Sequence, residues 1–118
     1  MTLRLGLLGH PVDHSLSPTV HRAGLAPLGI AATYELIDVA PNALAETMRR
    51  CFEIGFTGLN LTLPHKRAAM QYAESITPLA EQVGAANTLV RGSSGWVAHN
   101  TDSPGLQLAM RDFGVEPK

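Results

Sequence analysis

Three apolar runs constrain this chain more than any other feature: LRLGLLG at 3–9, ATYELIDV at 32–39 and FTGLNLTL at 56–63. Each has the length of a strand, and each is followed by a helix start. After the first, Ser17 and Pro18 supply an N-cap and a proline at the first helical position of SLSPTVHRAGL (15–25). After the second, Pro41 opens a stretch in which Leu44, Met48, Cys51, Phe52 and Gly55 share one helical face, so a helix ending at Gly55 is expected. After the third, Pro64 is expected to turn the chain into a helix running to about Tyr72. Thr77-Pro78 begins a further short helix stopped near Gly84. NTLVR and GWVAHN, joined by GSS, then read as a hairpin, and SPGLQLAMRDF closes as a helix before Gly114. Strand–helix alternation followed by a hairpin implies an α/β fold: a three-layer α/β/α arrangement, its sheet mainly parallel with an antiparallel addition.

The 118 residues are expected to form one domain, 1–118, since that length buries one core and cannot hold two nucleotide-sized folds. A formal net charge of -1 gives no electrostatic reason for a nucleic-acid or anionic-membrane partner. The single Cys51 excludes an internal disulfide framework and fits a reducing cytoplasm, and no apolar run is long enough for a signal peptide or a membrane span. The expectation is a cytoplasmic domain that meets a small molecule.

In open sheets of this kind, ligands sit beyond the carboxyl ends of the strands. HPVDHSLS, LTLPHK and AHNTDS all fall at such ends, so three polar clusters distant in sequence are expected at one rim. Ser15 and Ser17, ahead of a helix start, form a cradle for a carboxylate or phosphate; the plainer reading is that Ser17 only caps. Lys66 stands in the first turn after Pro64, where the helix dipole disfavours a cation by roughly 0.3–1 kcal/mol. A dipole that repels an ammonium also lowers its pKa, which suits a lysine used in proton transfer. His65 and Arg67 read as surface. Asp102 is either a capping acid or the partner of Lys66; Ser103 before Pro104 takes the capping role and leaves Asp102 for the rim. Asn87 is a turn residue or a group that both donates to and accepts from a polyol hydroxyl. The five histidines (His10, His14, His21, His65, His99) show no paired ligand spacing, so no metal is expected. GLLGHP lacks the G-x-G-x-x-G spacing of a dinucleotide site, and no other stretch supplies it.

Taken in order, GHPVDHSLSPTVH (9–21), YELIDV (34–39), GLNLTLPHK (58–66), GAANTLV (84–90) and HNTD (99–102) resemble the successive signatures of the shikimate dehydrogenase substrate-binding domain. That resemblance implies an enzyme of aromatic amino acid biosynthesis, an oxidoreductase reducing 3-dehydroshikimate to shikimate with NADPH. It implies that Ser15 and Ser17 grip the substrate carboxylate, that Lys66 and Asp102 are the catalytic pair, and that Asn60, Thr62 and Asn87 line the same pocket. Ser103-Pro104 stand where the family usually has glycine after the aspartate. The family continues into an NADP-binding Rossmann domain that these residues do not include, so the isolated chain is expected to lack appreciable dehydrogenase activity. A non-catalytic module for shikimate-like acids, or a relative acting on quinate or aminoshikimate, are the alternatives. No apolar stripe selects an oligomeric state.

Overall fold

The computed structural model describes residues 2–12 and 31–101. The chain order is strand β1 (Thr2–Gly9), strand β2 (Ala31–Asp38), a 3-10 turn (Pro41–Ala43) leading into helix α1 (Leu44–Glu53), strand β3 (Gly58–Leu61), a 3-10 helix (Ala68–Tyr72), strand β4 (Ser75–Ile76), helix α2 (Pro78–Val83), strand β5 (Thr88–Arg91) and strand β6 (Trp96–His99). The six strands form one sheet in the order β2-β1-β3-β5-β6-β4. β1 is parallel to both β2 and β3, and β4 is parallel to β6, while β5 runs against β3 and β6. The mixed α/β sheet agrees with expectation. The helices expected over 15–25 and 103–113 lie outside the described residues.

Alternation along the strands separates two faces. Leu8, Leu59, Leu61, Leu89, Trp96 and Ala98 point to one face and join Leu44, Met48, Cys51 and Phe56 in the main core. Leu7, Val12 and Tyr34 form a second cluster with Leu5 on the other face. α1 buries Leu44, Met48 and Cys51, three of the five positions expected on its inner face, and Phe52 is half-buried against the same core. Burial pushes the Cys51 thiol above its ordinary pKa range. The chain leaves α1 through Gly55 at φ 101°, and it leaves α2 through Gly84 at φ 81°, backbone that a side chain would strain. Thr77 caps α2 by accepting from the Ala80 N–H at 3.3 Å. Arg91 fixes the end of α1 to the sheet. Its Nε donates to Phe56 O at 2.8 Å, a terminal nitrogen donates to Phe52 O, and the guanidinium lies 3.9 Å from the Phe52 ring centroid.

Three expectations need correction. The two-residue β4 was not foreseen. Pro64 does not open a helix: a cis Leu63-Pro64 bond and a turn precede the 3-10 helix, which begins only at Ala68. Nor is His65 on the surface. It is 1% exposed, and its Nε2–H donates to Val39 O at 2.6 Å. Val39 is itself buried just past the end of β2, so its carbonyl needs a donor from within the protein, and the imidazole supplies it.

Candidate functional site

Strand direction decides what meets at the rim. β1, β2, β3 and β6 bring their carboxyl ends to it, and the reversed β5 brings its amino end. Backbone hydrogen bonds then stitch the connecting loops together. His10 N–H reaches Leu63 O at 3.2 Å and Thr62 N–H reaches Leu8 O at 3.0 Å, joining the loop after β1 to the loop after β3. Leu61 N–H donates to Asn87 O at 2.8 Å, and Ala86 N–H donates to Lys66 O at 2.8 Å. Asn87 N–H donates to His99 O at 3.0 Å. The described parts of the three polar clusters therefore do share one rim.

Of the seven site residues expected from sequence, four fall on described backbone. Asn60 is the third residue of β3, Thr62 follows that strand, Lys66 lies in the turn after Pro64, and Asn87 directly precedes β5. Each is half-buried. Ser15, Ser17 and Asp102 lie outside the described residues. The helix-dipole argument for Lys66 loses its basis, because Lys66 precedes the first helical residue and its carbonyl is held by Ala86.

The packing around Thr62 is close. A Cβ built on Gly9 would come within 2.4 Å of Thr62 Cγ2 and 2.7 Å of Val12 Cγ1. On the same sheet face as Leu5 and Tyr34, a cavity of about 230 Å³ is lined by Leu5, Gly58, Asn60, Thr88 and Val90 among others. Its lining is apolar apart from Asn60, Thr88 and Thr57.

Sequence reasoning missed several polar groups at this rim. Tyr34 donates its hydroxyl to Asn60 Oδ1 at 2.7 Å, Asn60 Nδ2 donates to Thr88 Oγ1 at 3.3 Å, and Thr88 Oγ1 donates to Asn87 Oδ1 at 3.1 Å. Thr101 exchanges two bonds with the Asn87 carboxamide. Asn100, 4% exposed, donates to Ala85 O at 2.9 Å and so pins the turn ahead of Asn87. Its position inside HNTD was the available signal. For Tyr34 there was none beyond its β-forming character.

His99 sits opposite Thr88 in the β5–β6 ladder. Partial burial lowers its pKa from the ordinary 6.5. The neutral imidazole is therefore the form that the fold favours. Above pH 6.5 the ring is neutral folded and unfolded alike, and this contribution is intact. As the pH falls through 6.5 toward the depressed folded value, the unfolded chain takes the proton first and stability is lost. His99→Asn is expected to show a smaller drop in urea midpoint between pH 7.5 and 5.5 than the wild type. Equal drops would exclude His99 as a source of acid lability.

Among the described residues no group of His, Cys, Asp or Glu side chains could hold a metal ion, and no helix is long and apolar enough to cross a membrane.

Comparison with known proteins bears on the sequence and the fold as a whole. Residues 7–89 match the model of the shikimate dehydrogenase substrate binding domain. Similar relatives include the NADP(+) shikimate dehydrogenase of Anaeromyxobacter dehalogenans (strain 2CP-C), 43% identical over 114 residues, covering 97% of this chain and 41% of the relative. That of Symbiobacterium thermophilum is 42% identical over 111 residues, 94% of this chain and 38% of the relative. The structure matches shikimate 5-dehydrogenase from Thermus thermophilus, solved in complex with NADP(H) and shikimate, with a TM-score of 0.83 at 39% identity. That match covers 95% of this chain and 42% of the other. It also matches the ligand-free 5-ketofructose reductase of Gluconobacter sp. strain CHM43, with a TM-score of 0.85 at 25% identity, over 95% of this chain and 40% of the other. The chain spans about two fifths of the length of the curated relatives it matches. By sequence over most of its length and by the order and direction of its strands, the chain belongs to the shikimate dehydrogenase substrate binding domain family.

Proposed function

We propose that this chain is the substrate-binding and proton-handling domain of an NADP-dependent shikimate dehydrogenase, acting in the cytoplasm on the shikimate/3-dehydroshikimate pair. The observation that carries the reading is the stitching of Asn60, Thr62, Lys66 and Asn87 into one rim by bonds between loops far apart in sequence. In this reading Ser15 and Ser17 take the substrate carboxylate, and Asn60, Thr62 and Asn87 take ring oxygens. Lys66 holds or delivers the proton at the reacting oxygen, where its charge stabilises negative charge as it develops. Asp102 keeps the lysine and the neighbouring hydroxyl in place.

The cofactor does not fit these residues. A dinucleotide cradle needs glycines between a strand and a helix N-terminus. The described junctions are Asp38-Val39-Ala40 ahead of Pro41, Thr62 to Arg67 ahead of Ala68, and Thr77 ahead of Pro78, and none contains glycine. No hydride step is therefore assigned to this domain, and we place the NADP site in a separate domain of the enzyme.

The test is an NMR titration of the chain with shikimate, quinate and NADP. Saturable shifts at Asn60, Thr62, Lys66 and Asn87 are expected with shikimate. Lys66→Ala should weaken that binding roughly tenfold, the scale of a lost charge-assisted hydrogen bond. A response to NADP with none to shikimate would overturn the assignment.

A further inference from the structure

The bonds around Asn60 and Asn87 leave no freedom in where their protons lie. Thr101 N–H meets Asn87 Oδ1 at 3.0 Å. A backbone N–H only donates, so the oxygen side of this carboxamide must face it. The nitrogen side then donates to Thr101 Oγ1 at 2.8 Å. Asn87 Oδ1 also lies 3.1 Å from Thr88 Oγ1. A carboxamide oxygen cannot donate, so Thr88 spends its one hydroxyl proton there. Toward Asn60 the Thr88 oxygen can therefore only accept, which turns Asn60 Nδ2 to it at 3.3 Å. Asn60 Oδ1 is thereby left facing Tyr34, whose hydroxyl must donate across 2.7 Å. One backbone N–H at Thr101 sets the polarity of a chain of side chains that reaches Tyr34 on β2.

Asn87 Oδ1 already holds two donors, and Asn60 Oδ1 is turned to Tyr34, a side chain only 5% exposed. Asn87 therefore has only its second Nδ2 proton to offer a ligand, and Asn60, its oxygen turned to the buried Tyr34, presents its own second Nδ2 proton beside it. We propose that Tyr34 and Thr88 are positioning residues that hold Asn60 and Asn87 with their donors toward the ligand. The rim then takes a ligand oxygen that accepts, carbonyl or hydroxyl, and turns away an ammonium group in the same place. The proposal rests on the site assigned above and deepens it. Ketone and alcohol oxygens both accept, so one fixed polarity serves both ends of the reaction. An ammonium only donates and would meet two donors.

The test has two arms on the same chain. Without ligand, Thr88→Val should move the carboxamide ¹⁵N and ¹³C signals of both Asn60 and Asn87, and Thr88→Ser should restore them. Tyr34→Phe should move those of Asn60 and leave those of Asn87. Carboxamide signals unmoved in Thr88→Val would overturn the relay whatever the chain binds. With ligand, shikimate is compared with analogues in which each ring hydroxyl in turn is replaced by ammonium. The wild type should reject at least one analogue about tenfold or more relative to shikimate, the scale of an unsatisfied polar contact. In Thr88→Val that ratio should shrink to about threefold or less, because a freed amide can turn its oxygen outward. Equal binding of all analogues by the wild type, or a ratio unchanged in Thr88→Val, overturns the positioning role. A relay that behaves as described with no shikimate response at this rim instead overturns the functional reading, and the selectivity with it.

Discussion

Trp96→Ala is expected to lower the unfolding free energy by about 3–5 kcal/mol, the usual range for deleting a large buried aromatic. Three attachments explain why little relaxation can soften the loss. The ring is 3% exposed in the main core, its Nε1–H donates to Met48 O in α1 at 2.8 Å, and it meets the Phe52 ring edge-on at 5.5 Å and 83°. The Arg91 guanidinium stands 5.6 Å from the same ring. Trp96 is therefore the point at which β6, α1 and the end of β5 are held together. Against a typical domain stability of about 5–15 kcal/mol, the change takes a large share of the total. Trp96→Phe keeps most of the apolar contact but removes one hydrogen bond to the Met48 carbonyl, and should cost about 0.5–1.5 kcal/mol beyond the lost packing. Urea unfolding of the two variants checks the ranking, and an alanine variant within about 1 kcal/mol of wild type would contradict it.

Gly9→Ala is the second change with a large expected effect, and it reaches the site as well as the fold. Gly9 is not needed for a left-handed backbone, since only Gly55 and Gly84 have positive φ among the described residues. It is needed for space, because its added Cβ would overlap the methyl group of Thr62 and press on Val12. Overpacking of this kind costs about 1–3 kcal/mol. Thr62 is half-buried where Val12 is buried, so Thr62 is expected to move, and in the proposed reading shikimate affinity should fall together with stability. Thr62→Ser removes the clashing Cγ2 and keeps the hydroxyl. In the double variant, part of both losses should return. Strictly additive effects would show that Thr62 does not bear the strain.

Much of this fold is legible in the order of residues alone. β1, β2 and β3 announce themselves as apolar runs, and Gly55 and Gly84 end their helices as a C-terminal glycine should. The hairpin of β5 and β6 is equally clear, its turn closed by Gly92 N–H to Gly95 O at 2.7 Å. What local pattern could not carry was decided by distant partners. β4 has only two residues, too short for any periodicity, and it exists as a strand because β6 offers it an edge. Pro64 is a sound helix opener by local rules. The segment after it instead obeys Thr62 O, which accepts from His65 N–H at 2.9 Å, and Ala86, which claims the Lys66 carbonyl. His65 looked like one more basic surface residue because nothing in LPHKR reveals that Val39 O needs a donor. The order of the motifs singled out Asn60, Thr62, Lys66 and Asn87 as candidates, and all four lie along one rim. The orientation of the two amides depends on Tyr34, Thr88 and Thr101, whose meeting is a product of strand register.

The reversal of β5 has a consequence for how such a domain can diverge. Because β5 runs against β3, the chain leaves the rim after Leu61 and returns to it at Asn87, where the Leu61 N–H and Asn87 O close the excursion at 2.8 Å. Residues 62–86 are thus a handle attached at both ends to the same edge. Lys66 stands near one foot of the handle, with its carbonyl tied to Ala86 at the other. Lengthening the far side of a closed loop costs only slowly growing entropy. The arc between the feet is also held in its middle, where β4 pairs with β6. Length change that keeps the spacing of Lys66 and Asn87 fixed is therefore confined to the exposed turns on either side of β4. A handle lengthened only at those turns would keep both feet, and the residues they carry, on the same rim.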